Sequence, residues 1–131
     1  MPNGFTGSAD AWNRAETALS IIDTLVPECI QDRKVTIVRN YHSWPSRSIE
    51  WVTGDLRRKV QVYLADQGEE NYNVWLCASK EQTGPVLWRQ EFLRQAVPWR
   101  VLSQEVRGVL IQGIETVESW TAADLTPART A

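Results

Sequence analysis

Between Asp10 and Pro27 the apolar residues Trp12, Ala15, Leu19, Ile22 and Val26 recur at intervals of three and four, with Ala18, Ile21 and Leu25 beside them. This spacing predicts a helix with one broad apolar side, capped by Ser8 or Asp10 and stopped near Pro27. An isolated helix of this length is marginal in water, so its apolar side must cover something. From position 34 the pattern changes to alternation. Residues 34–41 are rich in β-branched and aromatic side chains, and in 47–53 Ile49, Trp51 and Thr53 alternate with Glu50 and Val52. In 58–65 Val60, Val62 and Leu64 oppose Lys59, Gln61 and Tyr63, and in 71–79 Tyr72, Val74, Leu76 and Ala78 oppose Asn73, Trp75 and Cys77. These are strands with one face to a core. The short turn-like links between them favour antiparallel neighbours over crossovers.

Residues 84–99 fit no period well. Val86, Trp88, Gln90 and Phe92 suit a strand imperfectly, and Trp88, Phe92 and Gln95 suit a short helix no better. Pro85 and Pro98 bound a short apolar run, which favours a fifth strand. After it, Ser103 is placed to cap a helix whose Val106, Val109, Leu110, Ile114, Val117 and Trp120 share one side. Gly108 and Gly113 each weaken that helix by about 1 kcal/mol relative to alanine. Because Gly113 falls on the apolar side, it is expected to mark a close approach to the sheet. The expectation is one α+β domain over 1–131, a two-layer sandwich. An antiparallel meander of four or five strands carries the N-terminal and C-terminal helices on one face, with an ordered core at about 9–122 and frayed ends.

Length agrees with this expectation: a chain of 131 residues suits one domain and buries roughly two thirds of its unfolded surface. Its first residues lack the basic and apolar parts of a secretory signal, and no run is apolar for the length of a membrane-spanning helix. The two cysteines, Cys29 and Cys77, read as free thiols of a reducing compartment. A cytoplasmic protein with no membrane contact is therefore expected. The formal charge of −2 implies no general affinity for nucleic acid. It is unevenly spread, however, since residues 31–60 hold seven basic groups against three acidic ones, a local +4.

Catalytic constellations are sparse. Cys29, His42 and Cys77 are too few and too scattered for a zinc site. His42, the single histidine, has no G-x-S-x-G elbow to serve, and the cysteines lie in apolar surroundings that disfavour a thiolate. Glu50 and Asp55 lie near Arg57, Arg58 and Lys59 as in some metal nucleases, but Gln61 stands where a second acid would be needed, so a cross-strand ion pair is the simpler reading. No glycine-rich phosphate loop is present. No cofactor and no enzymatic activity are expected.

The feature left over is the mixing of rings with guanidinium groups. The chain has seven tryptophans, and Arg39, Tyr41, His42, Trp44 and Arg47 gather at one end of the sheet if the first two strands pair through 42–46. With Trp51, Arg58 and Trp75 they form the expected partner-binding set, because tryptophan and arginine dominate interface hot spots. The favoured reading is a non-enzymatic adaptor, inhibitor or chaperone-like module. It would bind a protein partner, or a second copy of the chain, through the open face or an edge of its sheet. The alternatives are a single-strand nucleic-acid binder using the basic segment 31–60 and a small enzyme with a carboxylate and arginine pocket.

Overall fold

The computed structural model describes residues 9–31, 34–40, 45–68, 70–83 and 90–125, without the side chains of 66–68 and 90–95. Helices α1 (Ala9–Leu19) and α2 (Ile21–Cys29) are followed by strands β1 (Val35–Asn40), β2 (Ser46–Thr53), β3 (Leu56–Gly68), β4 (Asn71–Ser79) and β5 (Gln90–Pro98). A 3-10 turn (Trp99–Val101) then runs into α3 (Leu102–Glu118). The strands pair antiparallel in chain order. The helices pack together and against the sheet, giving the expected α+β architecture with a five-stranded open sheet.

Alternation places Ile49 and Trp51 of β2, Val60, Val62 and Leu64 of β3, and Tyr72, Val74, Leu76 and Ala78 of β4 in one buried cluster. Leu19, Ile22, Leu25 and Val26 meet them from the N-terminal helices, and Val106, Val109, Leu110, Ile114 and Val117 from α3. Tyr72 reconciles its hydroxyl with this core by donating from Oη to the Ala11 carbonyl at 3.0 Å. Gly113 faces the same layer. A Cβ on it would lie 2.8 Å from both terminal methyls of Leu76, so the expected close approach is present.

Local chemistry moves several boundaries. The single N-terminal helix that the spacing predicts is interrupted at Ser20, where the Asp23 N–H bonds back only three residues, to the Ser20 carbonyl at 3.2 Å. Ser20 Oγ in turn donates to the Thr17 carbonyl at 2.7 Å. Pro27 does not stop α2, which continues to Cys29. Proline removes one helical donor, but the bonding continues past it, with the Ile30 N–H donating to the Val26 carbonyl at 2.9 Å. Ser103 lies inside the first turn of α3, because the 3-10 turn leads straight into the helix and puts Val101 at the cap position without a capping side chain.

Between β4 and β5 the register slips: Leu76 is opposite Leu93 but Cys77 is opposite Glu91, so Phe92 is an extra residue. Such a bulge reverses the two-residue phase, which is why no single alternation fits this stretch. Beyond α3 the chain keeps packing through Leu125, which is buried. A tight turn precedes it, with Asp124 Oδ2 accepting from the Thr121 N–H at 2.8 Å and from Thr121 Oγ1 at 3.1 Å. These two donors hold the Asp124 carboxyl below its ordinary value.

Gly108 is exposed and a Cβ there would meet nothing within 4 Å. Gly108→Ala should therefore stabilise the fold by about 0.5–1 kcal/mol, whereas Gly113→Ala should destabilise it by about 1–3 kcal/mol by displacing Leu76. Urea unfolding midpoints of the two variants check the opposite signs.

Candidate functional site

Among the described residues the helices lie on one sheet face, so the parity of each strand position decides what its side chain meets. Arg47 shares parity with Ile49 and Trp51, and Arg58 with Val60, Val62 and Leu64. All of these residues are buried. Arg47, Trp51 and Arg58 were expected at a partner-binding surface on the open face or an edge. The structure turns them inward instead, where each has a partner from a helix.

Arg39 and Arg47 are direct cross-strand neighbours on β1 and β2, a like-charge pairing that is unfavourable by itself. Two carboxylates from the helices offset it. Arg47, with its side chain 1% exposed, has Nη2 2.6 Å from Glu16 Oε1 on α1 and Nε 3.7 Å from Asp23 Oδ1 on α2. Arg39 Nη2 lies 2.8 Å from the other oxygen of Asp23. Asp23 thus bridges both arginines, and the four charges fasten the helix pair to the β1–β2 end of the sheet. Arg39 alone of the two remains accessible, its side chain 56% exposed.

A second fastening lies at the end of α3. Arg58 Nη1 donates to the Val117 carbonyl at 2.8 Å and to the Trp120 carbonyl at 2.6 Å. A buried cation there adds a donor to carbonyls at the helix end and complements its negative pole. Trp51 Nε1 donates to Glu118 Oε1 at 3.1 Å, so the most buried indole of the sheet also holds this helix end.

The face turned away from the helices carries a different set. Trp75 stacks on its cross-strand partner Tyr63, with ring centroids 5.5 Å apart and planes within 4°. Arg57 Nη2 lies 2.9 Å from Glu50 Oε1, the simple ion pair expected of that acid. Glu50 and Arg58 are on opposite faces and do not converge on a pocket. Arg57 is held further by Gln82, whose side-chain amide accepts from the Arg57 N–H and donates to the Arg57 carbonyl. Lys59 on this face is fully buried and its Nζ has no hydrogen-bond partner among the described residues. Burial, then the Arg57 charge, lower its pKa from the ordinary 10.5, against the opposing pull of Glu50 and Glu81.

Tyr41, His42 and Trp44 lie outside the described residues, so the expected cluster is represented by Arg39 and Arg47 at the sheet end and by Trp75 on the far face. Cys77 is buried and Cys29 half-buried, both as free thiols. Burial, with Glu28 and Glu115 adding to it against Arg107, pushes the Cys29 thiol up, which disfavours a thiolate nucleophile. Among the described residues no group of three His, Cys, Asp or Glu side chains gathers to hold a metal, and no helix is long and apolar enough to cross a membrane.

Among the described residues two recesses are open to the surface. The outer edge of β1 borders a shallow recess of about 480 Å³ lined by Asp23, Ile37, Val38 and Arg39. A cleft of about 510 Å³ lies between α1 and the start of α3, where Arg14 and Arg100 both approach Trp99. Sequence reading missed this second group. Trp99 and Arg100 adjoin in sequence next to a helix start, but Arg14 belongs to a distant element and no local pattern links them. Comparison with family models, curated proteins and solved structures finds no match.

Arg47→Met should destabilise by about 3–5 kcal/mol, because it leaves two partly buried carboxylates without their shared cation. A double-mutant cycle with Glu16→Gln should return a coupling energy of about 1–3 kcal/mol in urea unfolding. Lys59 binds its proton less readily folded than unfolded, so its charged form opposes folding below the lowered value, and that opposition fades as pH rises towards 10.5. The stability advantage of Lys59→Met over the natural protein should therefore be largest near neutral pH and shrink between the lowered pKa and 10.5, measured by urea unfolding along a pH series.

Proposed function

We propose that the protein is a non-enzymatic interaction module, of adaptor, inhibitor or chaperone-like kind, that takes an extended segment of a protein partner along β1. The observation that carries this reading is the position of β1. It is an end strand of the sheet and, among the described residues, pairs with β2 alone, leaving its outer edge available for backbone hydrogen bonds. The sequence of β1, Val-Thr-Ile-Val-Arg-Asn, contains no proline or lysine to block such pairing. Val38 is 44% exposed, and the adjoining recess with Ile37 in its wall suits one apolar side chain of an added strand. Strand addition draws affinity from main-chain bonds and specificity from such alternate pockets.

On this reading docking is at the edge rather than across the open face. Of the expected anchors among the described residues, Arg39 alone borders the recess. Nucleic-acid binding through 31–60 gains less support, because among the described basic residues of that segment Arg47 and Arg57 are engaged by carboxylates, Arg58 by carbonyls, and Lys59 is buried, which leaves Lys34 and the carboxylate-paired Arg39 exposed. Phosphate contacts require accessible cations.

A photo-crosslinking residue substituted at Val38 should capture a protein partner in cells, while the same group at Gln112, exposed on α3, should not. Capture at Gln112 with none at Val38 would contradict edge docking, and adducts at Val38 removed by nuclease would move the reading to nucleic acid.

A further inference from the structure

Trp99 marks a second site, independent of the β1 edge. Its backbone N–H donates to the Glu70 carbonyl at 3.0 Å, which fixes the residue where β5 hands over to α3. Two cations converge on its ring: the Arg14 guanidinium lies over it at 4.4 Å from the centroid, and that of Arg100 at 5.6 Å. Both side chains line the 510 Å³ cleft, a volume within the range of small-molecule sites. A guanidinium resting over an indole keeps its N–H donors, and those donors suit carboxylate and phosphate oxygens.

The charges in and around the cleft leave this pair incompletely compensated. Arg14 is 3.9 Å from Glu70, whose side chain is 65% exposed, so that contact is weak. Arg100 is exposed, and no carboxylate is paired with it among the described residues. Asp10 lines the cleft with Asn13, Arg14 and Thr17, residues that fall on one stripe of α1. The wall therefore combines two cations at the Trp99 end with acceptors and an amide along α1. The uncapped start of α3 adds partial positive charge of the same sign, although the case rests on the two side chains and the cleft.

We infer that this cleft binds a small organic anion, with a carboxylate or phosphate group held between Arg14 and Arg100. Hydroxyl groups of the same molecule face Asp10, Asn13 and Thr17. An anion seated there relieves the repulsion between two like charges sharing one ring, and Trp99 at the centre makes the event visible by fluorescence.

The test titrates the full chain with citrate and with orthophosphate, using sodium chloride at matched ionic strength as reference, and follows tryptophan emission and the melting temperature. A saturable response to at least one anion is expected, with half-saturation at about 1 mM or tighter. A response to citrate alone assigns the site to carboxylates, and one to orthophosphate alone to phosphates. Arg100→Ala should raise the half-saturating concentration about tenfold or more, Arg14→Lys should raise it less, and Arg107→Ala, exposed on α3, should leave it unchanged. Arg100 is exposed, so its removal is not expected to unfold the protein. The inference is overturned if neither anion gives a saturable response beyond sodium chloride, or if Arg100→Ala binds as the natural protein does.

Discussion

A guanidinium group cannot be removed from water unless opposite charge and hydrogen-bond acceptors come with it, and Arg47 is almost completely removed from water. That constraint organises the β1–β2 end of the molecule. Arg47 must lie under the helices because it shares parity with Ile49 and Trp51. Once there it needs Glu16 and Asp23, which fixes how α1 and α2 are rotated over the strands. Asp23 then also compensates Arg39, the cross-strand neighbour whose like charge would otherwise oppose the pairing. Apolar contacts provide most of the burial, but they tolerate sliding. Four charges with defined partners do not.

The same logic recurs at the other end of the covered face, where Arg58 and Trp51 fix the C-terminus of α3. Polar groups on the inner parity positions thus act as fasteners between layers. This narrows where function can lie. Residue types typical of binding hot spots are present, yet much of their binding capacity is already used between helix and sheet. Among the described residues, what remains outside includes a backbone edge at β1 and a cationic cleft beside Trp99, on different elements, so that a partner and a small ligand would not compete for the same groups.

Much of the architecture was legible because strands half-covered by helices write their orientation into alternate positions. The alternation in 58–65 and 71–79 named the core residues correctly, and Gly113 on the apolar side of α3 announced the contact with Leu76. Parity even put Arg47 and Arg58 on the buried side. Their meaning was not legible, since the partners lie on helices whose rotation no strand pattern determines, and an arginine between apolar residues reads as readily as a surface anchor. The bulge at Phe92 hid β5 by reversing its phase part-way. The N-terminal helix breaks at Ser20, whose hydroxyl bonds to the Thr17 carbonyl, which leaves the apolar spacing intact and so gives no warning. The cleft was invisible for a further reason: its cations come from α1 and from the turn before α3, and only the folded chain brings them to one ring.

The central claim is that the charge network around Asp23 holds the helix pair on the β1–β2 end of the sheet. Amide hydrogen exchange of Asp23→Asn against the natural protein tests it most directly. The account predicts faster exchange in α2 and along the β1–β2 ladder, with the β3–β4 ladder and α3 unchanged. Unchanged exchange in α2 and β1, or an equal acceleration throughout the sheet, would contradict it.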